Sequence, residues 1–284
     1  VSPRFLLEAS ASRLRVGWED KPRDANGLLT PFYGDFVASE WSGGWGRLRD
    51  QVRRRTAGQA SATFSPERHT FKAGIQFERN EEDFLFANQL TGNTGQDPGL
   101  FVHPAPDLFV GVYSDWEGLA GNRVWSFFGQ DAWQVTDRLL LNLGLRWDAQ
   151  SLYTEGGTIQ NISNQSQPRI GFVYQPGEAG SQKVFASFGR IYQQVDTDLL
   201  TQFLPGTYLT YIYAQSPLVD PTPVATVPTI LGAQERNISG IDGQYQDEFT
   251  LGYERILDGQ MKVGVRGVRR DLKEAIDHLI DPTT

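Results

Sequence analysis

The chain has 284 residues, 39% hydrophobic and 21% charged, with no cysteine and a formal net charge of −8. That length permits a sizeable core or two domains, whereas the negative balance and the lack of a basic stripe exclude general nucleic-acid binding. No apolar run reaches the roughly 20 residues of a helical membrane span, so an embedded form would have to be a β-barrel.

In chain order, the pattern predicts strands over 4–18, 52–65, 69–83, 123–136, 138–152, 167–176, 182–196, 245–257 and 260–273. Short joins fall at Pro66-Glu67-Arg68, Asp137, 177–181 and Asp258-Gly259, and long ones at 19–51, 84–122, 153–166 and 197–244. Short and long joins alternate. Every long loop therefore lies on one rim of an antiparallel meander, the layout of a transmembrane barrel with short periplasmic turns and long outer loops.

Within the strands the faces divide by polarity. Leu141, Leu143, Leu145 and Trp147 alternate with Asn142, Gly144, Arg146 and Asp148; Phe71, Ala73, Ile75 and Phe77 alternate with Lys72, Gly74, Gln76 and Glu78. Phe249, Leu251 and Tyr253 oppose Glu248, Thr250, Gly252 and Glu254, and Met261, Val263 and Val265 oppose Lys262, Gly264 and Arg266. A β-sandwich with one solvated side gives the same alternation, but several segments approach the length of a tilted membrane crossing. Trp125 and Phe127, Trp133, and Trp147 stand at heights that match two interfacial belts. The barrel reading places Leu141, Leu143, Leu145, Phe71, Ile75, Phe249 and Leu251 in lipid.

The run from Trp125 to Asp148, with its aromatic-Gln-Asp-x-Trp-x-Val-Thr part and the following Leu-x-Leu-Asn-Leu-Gly-Leu-Arg-aromatic-Asp, resembles the barrel hairpin of TonB-dependent outer-membrane receptors. Pro168-Arg169-Ile170-Gly171-Phe172-Val173-Tyr174, Phe185-Ala186-Ser187-Phe188-Gly189-Arg190-Ile191-Tyr192, the stretch Tyr245 to Arg255 and the stretch Val263 to Asp277 resemble later strands, most like the Oar-like branch. The resemblance covers most of 50–280, long loops excepted. It implies an all-β, transmembrane antiparallel barrel in the bacterial outer membrane, with residues 1–284 forming a partial barrel domain of about nine strands. Nine antiparallel strands cannot close first to last, because those two run the same way. The expected partners are therefore the remaining barrel segments and a plug domain, the TonB system through an N-terminal region, lipid and lipopolysaccharide, and an unidentified nutrient, with no nucleic acid. Val1-Ser2-Pro3-Arg4 has no secretory-signal pattern, and with no plug or final aromatic-ended strand recognisable, the expectation is an interior stretch of a longer chain.

The function implied is wall and outer loops of a nutrient transporter. An adhesin or scaffold barrel, or a secreted β-sandwich binding module, is the alternative. No catalytic, cofactor-binding or metal residue is assigned, and the chain is not read as an enzyme. His69, His103 and His278 are scattered, and Asp196 and Asp198 with Asp220 or Asp242 lack an EF-hand framework. Asn161, Asn164 and Asn237 begin Asn-x-Ser triplets, read as polar loop residues. The run Arg53-Arg54-Arg55 suggests contact with outer-leaflet phosphates, the loop aromatics serve equally as ligand contacts or as packing, and Arg146, Asp148, Glu248, Glu254 and Arg266 face the lumen.

Overall fold

A computed structural model describes residues 4–24, 27, 30–45, 48–87, 100–178, 180–201, 203–231, 242–257 and 261–274. The strands are β1 (Phe5–Asp20), β2 (Phe32–Asp35), β3 (Glu40–Gly43), β4 (Leu48–Phe64), β5 (His69–Ala87), β6 (Leu100–Ala105), β7 (Leu108–Thr136), β8 (Leu139–Thr154) and β9 (Gly157–Tyr174). There follow β10 (Gln182–Tyr192), the short helix α1 (Thr197–Thr201), β11 (Gly206–Tyr213), β12 (Ala225–Leu231), β13 (Tyr245–Leu257) and β14 (Met261–Glu274). All fourteen strands belong to one sheet, whose main path runs β1-β4-β5-β7-β8-β9-β10-β13-β14. Each ladder on that path is antiparallel.

The fold is thus an incomplete β-barrel of nine strands in meander order, as the alternation of joins predicts. Among the described residues there is no second sheet packed face to face, which the sandwich alternative requires. Among the described residues β1 and β14 each pair on one side only.

Several boundaries differ from the sequence expectation. β7 begins at Leu108 rather than 123 and has 29 residues, far more than the 9–11 of a tilted crossing. Its first part lies beyond the membrane and pairs with β6 and β11. Residues 157–166, expected in a loop, continue β9 alongside β8. A turn at Glu155 and Gly156 reverses the chain, and Gly157 takes a φ of +122° that side chains seldom adopt. Asn161 and Asn164 consequently lie in a strand. β10 ends at Tyr192 rather than 196, and its ladder with β9 stops at Gly189–Arg169, next to Pro168, which has no N–H to donate. The short joins at 65–68, 137–138 and 175–181 share one rim; Asp258-Gly259, Asn237 and His278 lie outside the described residues.

Register identifies the faces. Paired residues share a side, so Phe77–Trp125 and Phe127–Trp147 belong to the same face as Ile75, Leu143 and Leu145. On it Trp125 and Phe127 are each 46% exposed and Leu145 56%. Phe71, Ile75, Leu143, Phe249 and Leu251 are exposed there as well. Trp125 and Trp133 stand eight residues apart on β7, about 26 Å along the strand at about 3.3 Å per residue and about 20 Å across the membrane at a tilt of about 40°, somewhat less than an apolar band of about 25 Å. His69 completes the lower row, stacked between Phe71 and Trp133 with ring centroids at 5.1 and 5.4 Å, its Nδ1 2.8 Å from Asp131.

Candidate functional site: the covered inner wall

The opposite face is polar. At membrane height Arg146 reaches Asp148 at 2.8 Å, donates to Ser126 Oγ at 2.7 Å and meets Gln76 at 3.3 Å. Gln167 donates to Asp148 at 2.5 Å. Further along the sheet, Lys183 and Lys262 both pair with Glu254, and Arg270 pairs with Glu248. Arg146, Asp148, Glu248 and Glu254 therefore share the inner side, and Arg266, paired in register with Gly252, shares it too.

Above the Phe77–Trp125 row the inner face is covered by the chain itself. Leaving β10, residues 193–201 and 203–204 turn back across β5, β7 and β8. Gln150 on β8 grips the returning backbone at two points: its Oε1 accepts from Val195 N at 3.0 Å and its Nε2 donates to Gln193 O at 3.1 Å. Its carboxamide thus replaces a neighbouring strand for a segment that has left the ladder. Asn122 donates to Gln150 at 3.0 Å and to Val195 O at 3.2 Å, and Gln150 donates to Gln165 at 3.0 Å. Asn122 and Gln165 are wholly buried; the Asn122 Nδ2 and the Gln165 Oε1 are hydrogen-bonded, while Asn122 Oδ1 and Gln165 Nε2 have no partner among the described residues.

Two further contacts fix α1. Asp196 accepts from Asp198 N at 3.2 Å, starting the turn. Leu200 of α1 and Leu204, three residues beyond its end, enter a cluster with Phe84, Ala120, Leu152, Ile162 and Val195, bordered by Phe86, Trp116 and Leu199. Gly118, at a φ of +145°, leaves room for Leu204; a Cβ there would stand 2.9 Å from Leu204 Cδ2.

Beside this cluster lies a charged knot. Glu82 is fully buried, accepts from Thr197 Oγ1 at 3.0 Å, and lies 3.1 Å from Arg53 Nε. Gln51 donates to Glu82, and Arg53 also pairs with Asp198. Burial pushes the Glu82 carboxyl above its usual range; the Thr197 bond and Arg53 oppose this while the Asp198 charge adds to it. The knot joins β4, β5 and α1 through groups far apart in sequence.

These contacts revise several sequence readings. Arg53, Arg54 and Arg55 do not form one patch: Arg53 and Arg55 turn inward to Glu82 and Glu78, and only Arg54 points outward, to Asp83. Asp198 holds Arg53, while Asp220 accepts from Thr222 N at 2.9 Å and Asp242 from Asn164 at 2.7 Å. Among the described residues no group of three or more His, Cys, Asp or Glu side chains is placed to hold a metal. The loop aromatics largely pack on one another, as in Phe86–Trp116 at 4.5 Å, Tyr33–Phe101 at 5.0 Å and His103–Phe109 at 4.1 Å. The inner cover formed by this returning segment has a faint local signal in the sequence, the apolar trio Leu199, Leu200 and Leu204 inside a polar loop.

Residues 34–166 match a family described as an outer membrane beta barrel domain. Over 185 residues the chain is 34% identical to the TonB-dependent transporter Oar of Myxococcus xanthus, across 58% of this chain and 17% of that relative. The chain is thus similar to TonB-dependent outer-membrane transporters and spans about a sixth of the length of that relative. Among solved structures, a chain of the FpvAI–pyocin S2 complex aligns with a TM-score of 0.47 and 14% identity, over 94% of this chain and 38% of its own. The Ralstonia pickettii toluene transporter TbuX aligns with a TM-score of 0.37 and 10% identity, over 95% and 67%. The chain lies in the outer membrane, its Leu, Phe and Trp face towards lipid and its Arg146 and Gln150 face towards the lumen.

Proposed function

We propose that this chain supplies wall strands and outer loops to a TonB-dependent transporter of an unidentified nutrient, and that residues 193–204 narrow the outer mouth of its lumen. The observation that carries the reading is the return of 193–204 onto a polar inner wall, held by Gln150 and by the Glu82–Arg53–Asp198 knot. A segment fixed by side chains rather than by ladder bonds is released by exchanging a few hydrogen bonds, which suits a constriction that moves when solute passes.

In this reading residues 1–284 are part of one barrel domain, and 19–51, 84–122, 153–166 and 197–244 contribute to its outer side. β1 and β14 pair with further barrel strands, because unpaired backbone groups in lipid have no water partner. A plug fills the closed lumen, TonB supplies energy from the inner membrane, and lipid and lipopolysaccharide surround the apolar face. The family resemblance supports the transport role; the inner cover supports its place in the path.

The test compares medium depletion by cells carrying the complete gene, lacking it, or lacking TonB. The solute carried is the one whose depletion needs both. If no solute depends on both, the barrel is an adhesin or scaffold instead. These 284 residues hold no cysteine, so a pair introduced by Gln51→Cys and Thr197→Cys, whose native side chains both bond Glu82, locks the cover with the only thiols of this stretch. Uptake should stop under oxidation and return on reduction.

A further inference from the structure

We propose that the outward face just above the upper aromatic row is a binding site for the phosphates of the outer leaflet's phosphorylated glycolipid, formed by Arg13, Arg54, Arg79 and Arg123. The proposal rests on the outer-membrane placement and not on transport. Register assembles the site from four strands. Arg13 pairs with Thr56, Thr56 with Arg79, and Arg79 with Arg123, making one row across β1, β4, β5 and β7. The adjoining row above holds Arg15 opposite Arg54, followed by Glu81, Gly121 and Tyr153. Phe77 and Trp125 lie two residues below Arg79 and Arg123 on the same face, so the guanidiniums stand at headgroup height, directly over the apolar band.

Like charges opposed across a ladder are destabilising, and here two such pairs occur, Arg15 with Arg54 and Arg79 with Arg123. Protein carboxylates neutralise them only in part: Arg54 pairs with Asp83, and Arg79 with Glu81. Arg13, Arg15 and Arg123 have no ion pair among the described residues. Arg123 instead lies 4.3 Å over the Tyr153 ring, and the Tyr153 hydroxyl accepts from Arg79 Nε at 3.2 Å and donates to Glu81 at 3.0 Å. Tyr153 is buried although it is on the lipid side. Its ring and its hydroxyl thus engage both guanidiniums at once. Higher up the sign reverses at Asp50, Glu117 and Glu155, which limits the anion to the level of the arginine rows. A phosphate shared between Arg79 and Arg123, with Arg13 on its flank, removes the opposition of like charges through charge-assisted hydrogen bonds. Lipid A presents phosphate at that height on a body whose acyl chains cover Phe77 and Trp125.

The test is native mass spectrometry of the complete barrel protein with bisphosphorylated lipid A, its dephosphorylated derivative, phosphatidylglycerol and inorganic phosphate as probes. The wild type should prefer bisphosphorylated over dephosphorylated lipid A by about tenfold or more, corresponding to one strong charge-assisted contact. The triple variant Arg13→Gln, Arg79→Gln, Arg123→Gln should lose that preference while keeping the heat-dependent gel mobility of a folded barrel. Equal retention of the two lipid A forms by the wild type, or an unchanged preference in the folded triple variant, overturns the site. So does equal competition by phosphatidylglycerol or inorganic phosphate. If the triple variant does not fold, Arg123→Gln alone should weaken the preference about threefold, and no change then counts against the proposal. Loss of TonB-dependent uptake with lipid A preference intact would sink the transport reading and leave this one standing.

Discussion

The lower and upper parts of β5, β7 and β8 follow one alternation but bury opposite kinds of residue. Below the Phe77–Trp125 row the apolar side chains are outside and exposed, Leu145 at 56% and Phe127 at 46%, awaiting lipid. Above it the inner side chains are the buried ones: Glu82 and Asn122 at 0% and Leu152 at 1%. The difference teaches that alternation fixes which face a residue joins, whereas the solvent of that face changes along the strand. Lipid sets the cost of a polar group at membrane height; higher up, the returning segment 193–204 sets it, and each polar group it covers needs a partner.

The strongest way to break this comparison is a charge on the lower outer face. Leu143→Arg should cost about 2–4 kcal/mol in detergent folding of the complete transporter, while Asn142→Ser, on the lumen side, should be mild. Equal tolerance at the two neighbouring positions would overturn the assignment of faces. In the upper region, Gln150→Leu leaves Val195 N–H and Gln193 C=O without their side-chain partners and should cost about 1–3 kcal/mol. Hydrogen exchange at Val195 should accelerate, with exchange in the lower β7–β8 ladder unchanged. A smaller effect is expected at the glycine that lets the cover approach. Gly118→Ala should cost about 1 kcal/mol, from its backbone conformation and its closeness to Leu204. A melting temperature equal to wild type would show that the segment sits less closely than described.

The mildest prediction sharpens the contrast outside the membrane, where β2 runs parallel to β6. His103 Nδ1 lies 3.1 Å from Asp35, and that carboxylate raises the imidazole's pKa. The Asp35 carboxyl is held below its usual value by bonds from Ala38 N and His103. The histidine contribution is complete below its unfolded value of about 6.5 and is lost as pH rises through the raised folded value. The aspartate contribution is complete above about 3.9 and is lost as pH falls through the depressed one. Protection of β2 and β6 amides should therefore be greatest between those limits and fall at alkaline pH. His103→Gln should abolish the alkaline part of that change; a pH profile identical to wild type would show that the pair does not hold the two strands together.

Much of the fold was legible because its determinants are local. Turn residues at Pro66-Glu67-Arg68 and Asp137, and period-two runs such as Leu141, Leu143 and Leu145, specify reversals and faces without reference to distant parts of the chain. The Trp125 to Asp148 hairpin likewise carried the family resemblance within adjacent residues. The long connections were less legible. β7 extends back to Leu108 because β6 and β11 supply partners, and no count of Gly or Asp in 84–122 records where those partners lie.

By itself, then, the sequence determined the antiparallel order of nine strands, the lipid-facing set and the two aromatic rows, since side chains two residues apart must share a face. Only the tertiary structure decided that Arg53 and Arg54 serve opposite sides, that Gln150 stands in for a strand beneath Val195, and that Arg13, Arg79 and Arg123 meet in one row. Those relations depend on strand register and on where a long loop returns, and the energy of both comes from contacts between residues tens of positions apart.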